Sequence, residues 1–233
     1  MAAPEIVVGN TLELADNFAR RLREMSARAA RLALALPGGS VAEAFFPVLA
    51  DAVVNWAAID VFWSDERAVP AADDDSNYKL ASRLLLTAPA VAAARVHRMP
   101  AESEDLDGAA AAYEAELDGA TTGPTRVDVA LVGVGPDGHV CSLFPGHPAL
   151  DEQQRRVVAV TDSPKPPRRR MTLTLPALRD ATVVVAAFGS SKAEVIAEAV
   201  RDPESRLPVA LALRGARTPV LLLDAEAAGL LAR

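Results

Sequence analysis

Short apolar runs alternate along the chain with longer segments in which apolar residues recur at helical spacing. The short runs, rich in Val, Leu and Ala, predict buried β-strands at 31–36, 59–64, 95–99, 127–134, 156–160, 170–175, 182–188 and 220–224. The longer segments predict helices at 11–30, 41–52, 76–86, 102–119, 190–200 and 225–232. Apolar strands separated by helices are typical of a mostly parallel sheet that helices cover on both faces, so we expect an α/β fold.

Three local features refine this pattern. Asn10 and Glu13 have the spacing of a capping box, which predicts where the first helix begins. Pro47 predicts either a kink in the second helix or a late start of it. The strands predicted between residues 156 and 188 have little helix between them, so we expect an antiparallel or excursion element there.

The chain is long enough for one α/β domain or two small ones, with 233 residues and 51% hydrophobic composition. The acidic loop at 70–76 and the proline-rich basic loop at 163–170 are too short to be interdomain linkers. We therefore expect a single domain over residues 1–233.

The formal net charge of −7 argues against a general affinity for nucleic acid, because phosphate neutralisation needs a basic face. It leaves room for a small anionic ligand. One cysteine excludes an intramolecular disulfide and favours a reduced, cytoplasmic protein. The first ten residues lack the pattern of a signal peptide, and no apolar stretch is long enough to span a bilayer, so we expect no membrane partner.

Ligands of open α/β sheets bind beyond the carboxyl ends of the strands, so the loops that follow the strands are the candidate sites. The first of these loops contains Gly38, Gly39 and Ser40 before a helix. Two glycines and a helix N-terminus can hold a phosphate through backbone N–H groups. An ordinary turn has the same pattern, and this stretch alone favours the turn.

The second loop carries Asp65, Glu66 and Arg67 at a strand end. Carboxylates are unusual at buried sheet ends unless they are paired. The acids could bind sugar hydroxyls while Arg67 binds an anion. An internal acid–arginine pair that fixes the loop is an equally good interpretation.

The third loop, “LVGVGPDGHVCS” (131–142), begins like a dinucleotide fingerprint. Its glycines have the spacing of that fingerprint, but Pro136 and Asp137 lie where backbone would have to approach a pyrophosphate, and no helix–strand unit separates the glycines properly from the acid at Asp151, so we reject a nucleotide site. Asp137 and His139 remain. Neutral imidazole is an effective general base near pH 7, and a carboxylate beside it can fix its tautomer.

Other reactive and basic residues carry weaker signals. Cys141 could be a nucleophile next to His139, but its place on the same tight loop favours a small packed residue. The loop “SPKPPRRR” supplies a group of cations: Lys165, Arg168, Arg169 and Arg170. Lys192 lies in the first turn of a predicted helix, where the helix dipole disfavours a positive charge. Either a nearby anion or a fully solvated side chain would explain a lysine at this position.

Together these stretches resemble the 6-phosphogluconolactonases. The matching segments are “LALPGGS”, “FWSDERAVP”, “SNYKL”, “DVALVGVGPDGHVCSLFPGHPAL”, “SPKPPRRRMTLTLPAL” and “GSSKAEV”, in the family's order over nearly the whole chain. The resemblance implies a Rossmann-like three-layer α/β/α sandwich related to glucosamine-6-phosphate deaminases and ribose-5-phosphate isomerases. It also implies hydrolysis of 6-phospho-D-glucono-1,5-lactone in the oxidative pentose phosphate pathway, without a metal or organic cofactor, by a monomer or small homo-oligomer.

Carried over to this sequence, the resemblance makes His139 the general base and Asp137 its neighbour. The substrate and its phosphate are expected at Gly38, Gly39, Ser40, Asp65, Arg67, Gly135, Arg170 and Lys192. Pro37 stands where the family commonly has Ser, which removes one donor from the first loop. The extra arginines leave open which of residues 168–170 contacts the phosphate.

Two competing functions are weighed against the lactonase. A sugar-phosphate isomerase–deaminase on the same fold would need a further acid/base to move a proton between C1 and C2, for which the acids of the second loop could serve. A sugar-phosphate sensor would usually carry an additional DNA-binding segment. The third loop and the “SPKPP” segment favour the lactonase.

Overall fold

The computed structural model describes residues 3–120 and 127–231. Its strands are β1 (Glu5–Val8), β2 (Leu32–Leu36), β3 (Ile59–Trp63), β4 (Asp65–Arg67), β5 (Arg95–Val96), β6 (Val129–Gly133), β7 (Val157–Val160), β8 (Arg170–Leu173), β9 (Thr182–Ala187) and β10 (Thr218–Leu223). Its helices are α1 (Thr11–Ser26), α2 (Gly39–Asp51), α3 (Asn77–Ala81), α4 (Leu106–Ala120), α5 (Leu175–Leu178), α6 (Ala193–Arg201) and α7 (Pro208–Gly215). Short helical turns cover Trp56–Ala58, Ser82–Leu86, Pro89–Ala93, Pro148–Asp151 and Ser190–Lys192.

A seven-stranded parallel sheet forms the centre, in the order β1-β10-β9-β6-β2-β3-β5. Every residue of β2, β3 and β9 is buried. Successive side chains of a strand point to opposite faces, so complete burial means that both faces are covered. The expected α/β fold is confirmed, and because the strands are parallel, their carboxyl ends meet at one edge.

A second, antiparallel sheet lies outside the central one, in the order β4-β8-β7. Strand β4 follows β3 after the single residue Ser64, so the chain leaves one sheet and enters the other almost at once. The predicted antiparallel excursion within 156–188 is confirmed by β7 and β8.

Helix α1 illustrates how local sequence fixes an element. Asn10 Oδ1 accepts the N–H of Glu13 at 3.0 Å, and Glu13 Oε2 accepts the N–H of Asn10 at 2.8 Å, which confirms the capping box. Four-residue spacing then places Leu14, Phe18 and Leu22 in the core. Truncating a fully buried side chain such as Phe18 to Ala typically costs about 3–5 kcal/mol.

An ion cluster pins the amino ends of three neighbouring strands. The buried Asp60 carboxylate of β3 accepts two hydrogen bonds each from Arg31, which precedes β2, and Arg95 of β5. His97 Nε2 lies 2.8 Å from the same carboxylate. Burial alone would raise the pKa of Asp60, but the hydrogen bonds from Arg31, Arg95 and His97 outweigh it and hold the pKa far below its ordinary value.

The structure corrects several sequence-based expectations. Strands β1 and β4 and helices α5 and α7 were not predicted. Helix α2 runs through Pro47 rather than starting late. The helix predicted at 225–232 is wrong over the described residues, because 225–231 form turns. Only one i to i−4 bond, from Ala228 N to Asp224 O, joins the shorter-range bonds there, so no regular helix develops.

Candidate active site

A cleft of about 280 Å³ opens above the carboxyl ends of β9, β6, β2 and β3, four neighbours in the central sheet. The loops that follow these strands form its walls, as expected for an open α/β fold. The lining residues are Pro37, Gly38, Gly39, Ser40, Val41, Ser64, Asp65, Arg67, Asn77, Gly133, Val134, Gly135, Pro136, His139, Cys141, Arg170, Ala186, Ala187, Phe188 and Lys192. The structure thus brings the sequence-predicted site residues together, with Asp137 directly behind His139.

The glycine-rich loop forms one end of the cleft and the start of α2. Gly38 is the residue before the helix and Gly39 has a φ of +64°, a conformation that glycine adopts without strain. A Cβ on Gly38 would lie 1.8 Å from Asn77 Oδ1, so only glycine fits against that side chain. The first-turn N–H groups of α2 lack intrahelical acceptors, which makes this end of the cleft suitable for an anion.

Asp137 and His139 form a hydrogen-bonded pair in the loop after β6. His139 Nδ1 lies 2.5 Å from Asp137 Oδ1, and Gly135 N donates to His139 O at 2.9 Å, which closes the loop on itself. A Cβ on Gly135 would lie 2.0 Å from His139 Nδ1. Glycine at position 135 therefore creates the space in which the imidazole sits.

The rest of the fold holds this loop from the outside. Gly138 has a φ of +81° and packs against Leu207, and its carbonyl accepts the N–H of Val209 in α7 at 3.0 Å. The imidazole of His139 lies against the ring of Phe144, with centroids 4.7 Å apart. Helix α7, which was not predicted, therefore helps to position the candidate general base.

The electrostatics of the pair suit proton transfer. Burial is the main reason that the pKa of His139 lies below its ordinary value, although Asp137 opposes the shift. Burial would raise the pKa of Asp137, but the hydrogen bond and charge of His139, with the charge of Lys165, bring it below its ordinary value. A carboxylate at Nδ1 favours the tautomer with the proton on that nitrogen, which leaves the Nε2 lone pair free to accept a proton.

The two acids of the second loop, Asp65 and Glu66, contact different parts of the structure. Asp65 accepts a hydrogen bond from Ser142 Oγ at 2.7 Å, and its carboxylate lies 3.8 Å from the guanidinium of Arg170. Glu66 points to the start of α3, where it accepts the N–H groups of Asn77 and Tyr78 at 2.8 Å each. Burial raises the pKa of Glu66. The acid–arginine pair thus exists, with Arg170 rather than Arg67 as the partner.

Arg170 lines the cleft and also organises a neighbouring loop. Its Nε donates to Pro167 O at 3.0 Å, and its Nη2 donates to the carbonyls of Lys165 and Pro166 at 3.2 and 3.1 Å. Arg168 and Arg169 are exposed and do not line the cleft. Of the three arginines, Arg170 is therefore the one placed to act at this site.

Two cations of the cleft retain donors for a ligand. Arg67 donates through Nη1 to Asp75 O at 2.7 Å, while its buried Nε makes no hydrogen bond within the described residues. Lys192 forms no ion pair with any residue that the structure describes. Burial and then the charge of Lys165 lower its pKa. An anion in the cleft could pair with the ammonium group of Lys192.

Cys141 is buried and has a φ of +53°. Burial and the neighbouring Asp65 raise the pKa of its thiol, which keeps it protonated and unreactive. The structure therefore supports a packed cysteine rather than a nucleophile.

Two residues of this site were not assigned to it in the sequence analysis, although Lys165 was named there among the cations of its loop. Lys165 Nζ lies 3.3 Å from Asp137 Oδ1 and 3.3 Å from His139 Nδ1, although it comes from the proline-rich loop. Asn77 lines the cleft and donates to Asp65 O at 2.8 Å. Both residues lie in segments that match the family, “SPKPP” and “SNYKL”, and this match is the feature of the sequence that could have identified them as site residues.

Over residues 3–120 and 127–231, no group of three or more His, Cys, Asp or Glu side chains is arranged to hold a metal ion. None of the helices in the described part of the chain combines the length and apolar character needed to cross a membrane.

Comparison with known proteins adds independent information. Residues 10–221 match the family described as glucosamine-6-phosphate isomerases/6-phosphogluconolactonase. The 6-phosphogluconolactonase of Mycobacterium tuberculosis is 45% identical over 186 residues, which cover 75% of this chain and 74% of that protein. The 6-phosphogluconolactonase of Streptomyces coelicolor is 37% identical, with 99% of this chain and 95% of that protein covered.

A solved structure is similar over almost the whole of both chains. The 6-phosphogluconolactonase of Trypanosoma brucei superposes with a TM-score of 0.83 at 30% identity, covering 98% of this chain and 99% of that one.

Proposed function

The chain belongs to the family of glucosamine-6-phosphate isomerases and 6-phosphogluconolactonases, and from this premise we propose that it hydrolyses 6-phospho-D-glucono-1,5-lactone to 6-phospho-D-gluconate. This is the lactonase step of the oxidative pentose phosphate pathway. The observation that carries the proposal is the Asp137–His139 pair, which lies in a cleft whose other walls present anion-binding groups. Such a cleft suits a phosphorylated substrate with a hydrolysable bond.

The 6-phosphate binds at the end of the cleft formed by the start of α2. The backbone N–H groups around Gly39 and Ser40 supply directed donors, and the helix dipole favours negative charge there. Lys192 and Arg67 supply the charge. Arg170 contributes its positive charge to the same cleft while it holds the loop at 165–167.

His139 acts as the general base. With Nδ1 bonded to Asp137, Nε2 takes a proton from water as the water oxygen attacks C1 of the lactone. The resulting imidazolium is stabilised by the Asp137 carboxylate. General-base catalysis of this kind typically contributes ~10²–10⁴-fold, which suits a δ-lactone that already opens without a catalyst.

The attack converts the carbonyl of C1 into a tetrahedral oxyanion. The amides of Gly135 and Gly138 already donate within their own loop. The other backbone N–H groups of residues 135–139 and the neighbouring cations are therefore the donors proposed for the oxyanion. When the C1–O5 bond breaks, the ring oxygen takes the proton from the imidazolium and leaves as an alcohol.

The test is a hydrolysis assay on freshly generated 6-phosphogluconolactone, corrected for its spontaneous opening. We expect His139→Asn to lower kcat ~10²–10⁴-fold with little change in KM. His147→Asn is the matched control, because His147 does not line the cleft and Asn can replace it as the cap of the turn at Pro148–Asp151. Wild-type turnover by His139→Asn would contradict the assignment of the base.

A parallel assay with glucosamine 6-phosphate as substrate separates the lactonase from the isomerase–deaminase alternative. An isomerase–deaminase needs a second acid/base near C1 and C2, but Glu66 is committed to α3 and Asp65 to Ser142. We expect no turnover of glucosamine 6-phosphate.

We also propose the finer properties that the sequence favours. The single cysteine suits a cytoplasmic enzyme, and the net charge of −7 suits a small-molecule substrate rather than nucleic acid. The continuous hydrophobic core supports one domain.

A further inference from the structure

Lys165 completes a three-membered cluster with the candidate base and its partner. Its Nζ lies 3.3 Å from Asp137 Oδ1, the same oxygen that contacts His139 Nδ1 at 2.5 Å. Nζ also lies 3.3 Å from His139 Nδ1 itself. The ammonium group and the imidazole therefore share one carboxylate oxygen and face each other directly.

The backbone of the Lys165 loop is firmly held. Lys165 O accepts hydrogen bonds from Ser163 Oγ at 2.8 Å and from Arg170 Nη2 at 3.2 Å. Lys165 N in turn donates to Ser163 Oγ at 3.2 Å. Arg170, which is itself buried beside Asp65, therefore fixes the point from which the Lys165 side chain extends.

We propose that Lys165 is a positioning residue of this site: its ammonium group shares the Asp137 carboxylate with His139 and keeps the imidazole in its neutral, proton-accepting form. The physical reason is that a protonated imidazole would place a second positive charge against the ammonium group. The same contact orients Asp137, so that its carboxylate can hold the imidazole without stabilising the imidazolium too strongly. This inference rests on the proposed function, because it gives His139 the role of base.

Four charged groups act electrostatically on the imidazole or its partner. Asp137 and the more distant Asp65 raise the pKa of His139, whereas burial against Phe144 and the charge of Lys165 lower it. Lys192 interacts electrostatically with the same cluster, because Lys165 lowers the pKa of Lys192 and Asp137 raises it. Lys165 is the cation in direct contact with the pair, so its removal should shift the balance toward the imidazolium.

The first test follows the protonation of His139 without substrate, by NMR titration of the imidazole signals. The chain has three histidines, so the spectrum of His139→Asn assigns the signal. In Lys165→Met we expect His139 to become about tenfold easier to protonate, which moves its midpoint up by about one pH unit. Lys165→Arg keeps the charge and should keep the wild-type midpoint. The matched control is Arg168→Met, which removes an exposed cation from the same loop.

The second test is the pH profile of kcat/KM for lactone hydrolysis by the same variants. The acid limb of Lys165→Met should move upward with the His139 midpoint, while KM at pH 8 stays near the wild-type value. An unchanged or lowered midpoint would overturn the proposal. So would an unshifted profile with a raised KM, because Lys165 would then bind substrate. Absence of lactonase activity in the wild type would instead refute the proposed function, while the NMR titration would still decide the role of Lys165.

Discussion

Replacement of Gly135 by Ala should impair catalysis while leaving the fold intact. The added Cβ would lie 2.0 Å from His139 Nδ1, 2.1 Å from His139 Cε1 and 2.4 Å from Asp137 Oδ1. Non-bonded carbon atoms normally approach no closer than about 3.5 Å, so the imidazole must withdraw by more than ~1 Å. The φ angle of Gly135 does not lie in the left-handed region, so the alanine backbone itself is unstrained.

The size of the effect follows from this displacement. A misplacement of ~1 Å typically costs ~10²-fold in rate, or about 2.7 kcal/mol of barrier. The upper limit is the whole general-base contribution, ~10²–10⁴-fold, which is the loss expected for His139→Ala. Alanine also restricts the unfolded chain, which favours folding by about 0.4–1 kcal/mol and offsets part of the local strain.

The assay is steady-state hydrolysis of 6-phosphogluconolactone, combined with thermal unfolding. Gly119→Ala is the matched control, because a Cβ there meets no atom within 4 Å, and we expect wild-type activity from it. In a His139→Ala background the clash with the ring is gone, so adding Gly135→Ala should lower kcat no further. A Gly135→Ala enzyme within about threefold of the wild-type kcat would refute this reasoning.

Three further predictions follow from the charged groups. Lys192→Ala should raise KM for the phosphorylated lactone about tenfold or more while changing kcat little, as measured by steady-state kinetics; an unchanged KM would argue against a phosphate contact. Asp60→Asn should destabilise the fold by about 1–3 kcal/mol in urea unfolding, because the charge-assisted hydrogen bonds to Arg31 and Arg95 are weakened while both arginines stay partly solvated; a stability within the error of the wild type would refute this role. The pKa of Asp60 is lowered by folding, so its stabilisation is complete above pH ~4 and fades as the pH falls. The pKa of His139 is also lowered, so the acid limb of kcat/KM should have its midpoint below pH ~6.5, and a midpoint above that value would contradict the assignment.

The sequence alone predicts those strands of the central sheet that lie in continuous apolar runs. Strands β2, β3, β6 and β9 are buried throughout or nearly so, and burial on both faces produces the run that predicts them. Strand β1 was missed because it is a four-residue edge strand with Ile6 and Val8 exposed. Strand β4 was missed because its residues are charged, and their pairing with β8 depends on tertiary contacts.

The candidate site was predictable where its residues follow a strand directly, as at Gly38 and His139. It was less predictable where a side chain enters from elsewhere. Lys165 reaches a pair that lies 26 to 28 positions earlier in the chain, across a different loop. The carbonyl contacts of Arg170 likewise depend on the path of the 165–167 loop, which no local pattern specifies.

The pairing of the first strand with the last has a consequence for biosynthesis. Glu5 of β1 lies beside Val220 of β10, and β1 joins the sheet only through that strand. A ribosome that adds ~5–20 residues per second needs roughly 10–40 s to reach β10 after it has made β1. Throughout that interval the Ile-Val-Val segment has no strand to pair with in its own chain. The nascent protein therefore completes this edge of the sheet only after β10 is made, with a strand that was synthesised much earlier.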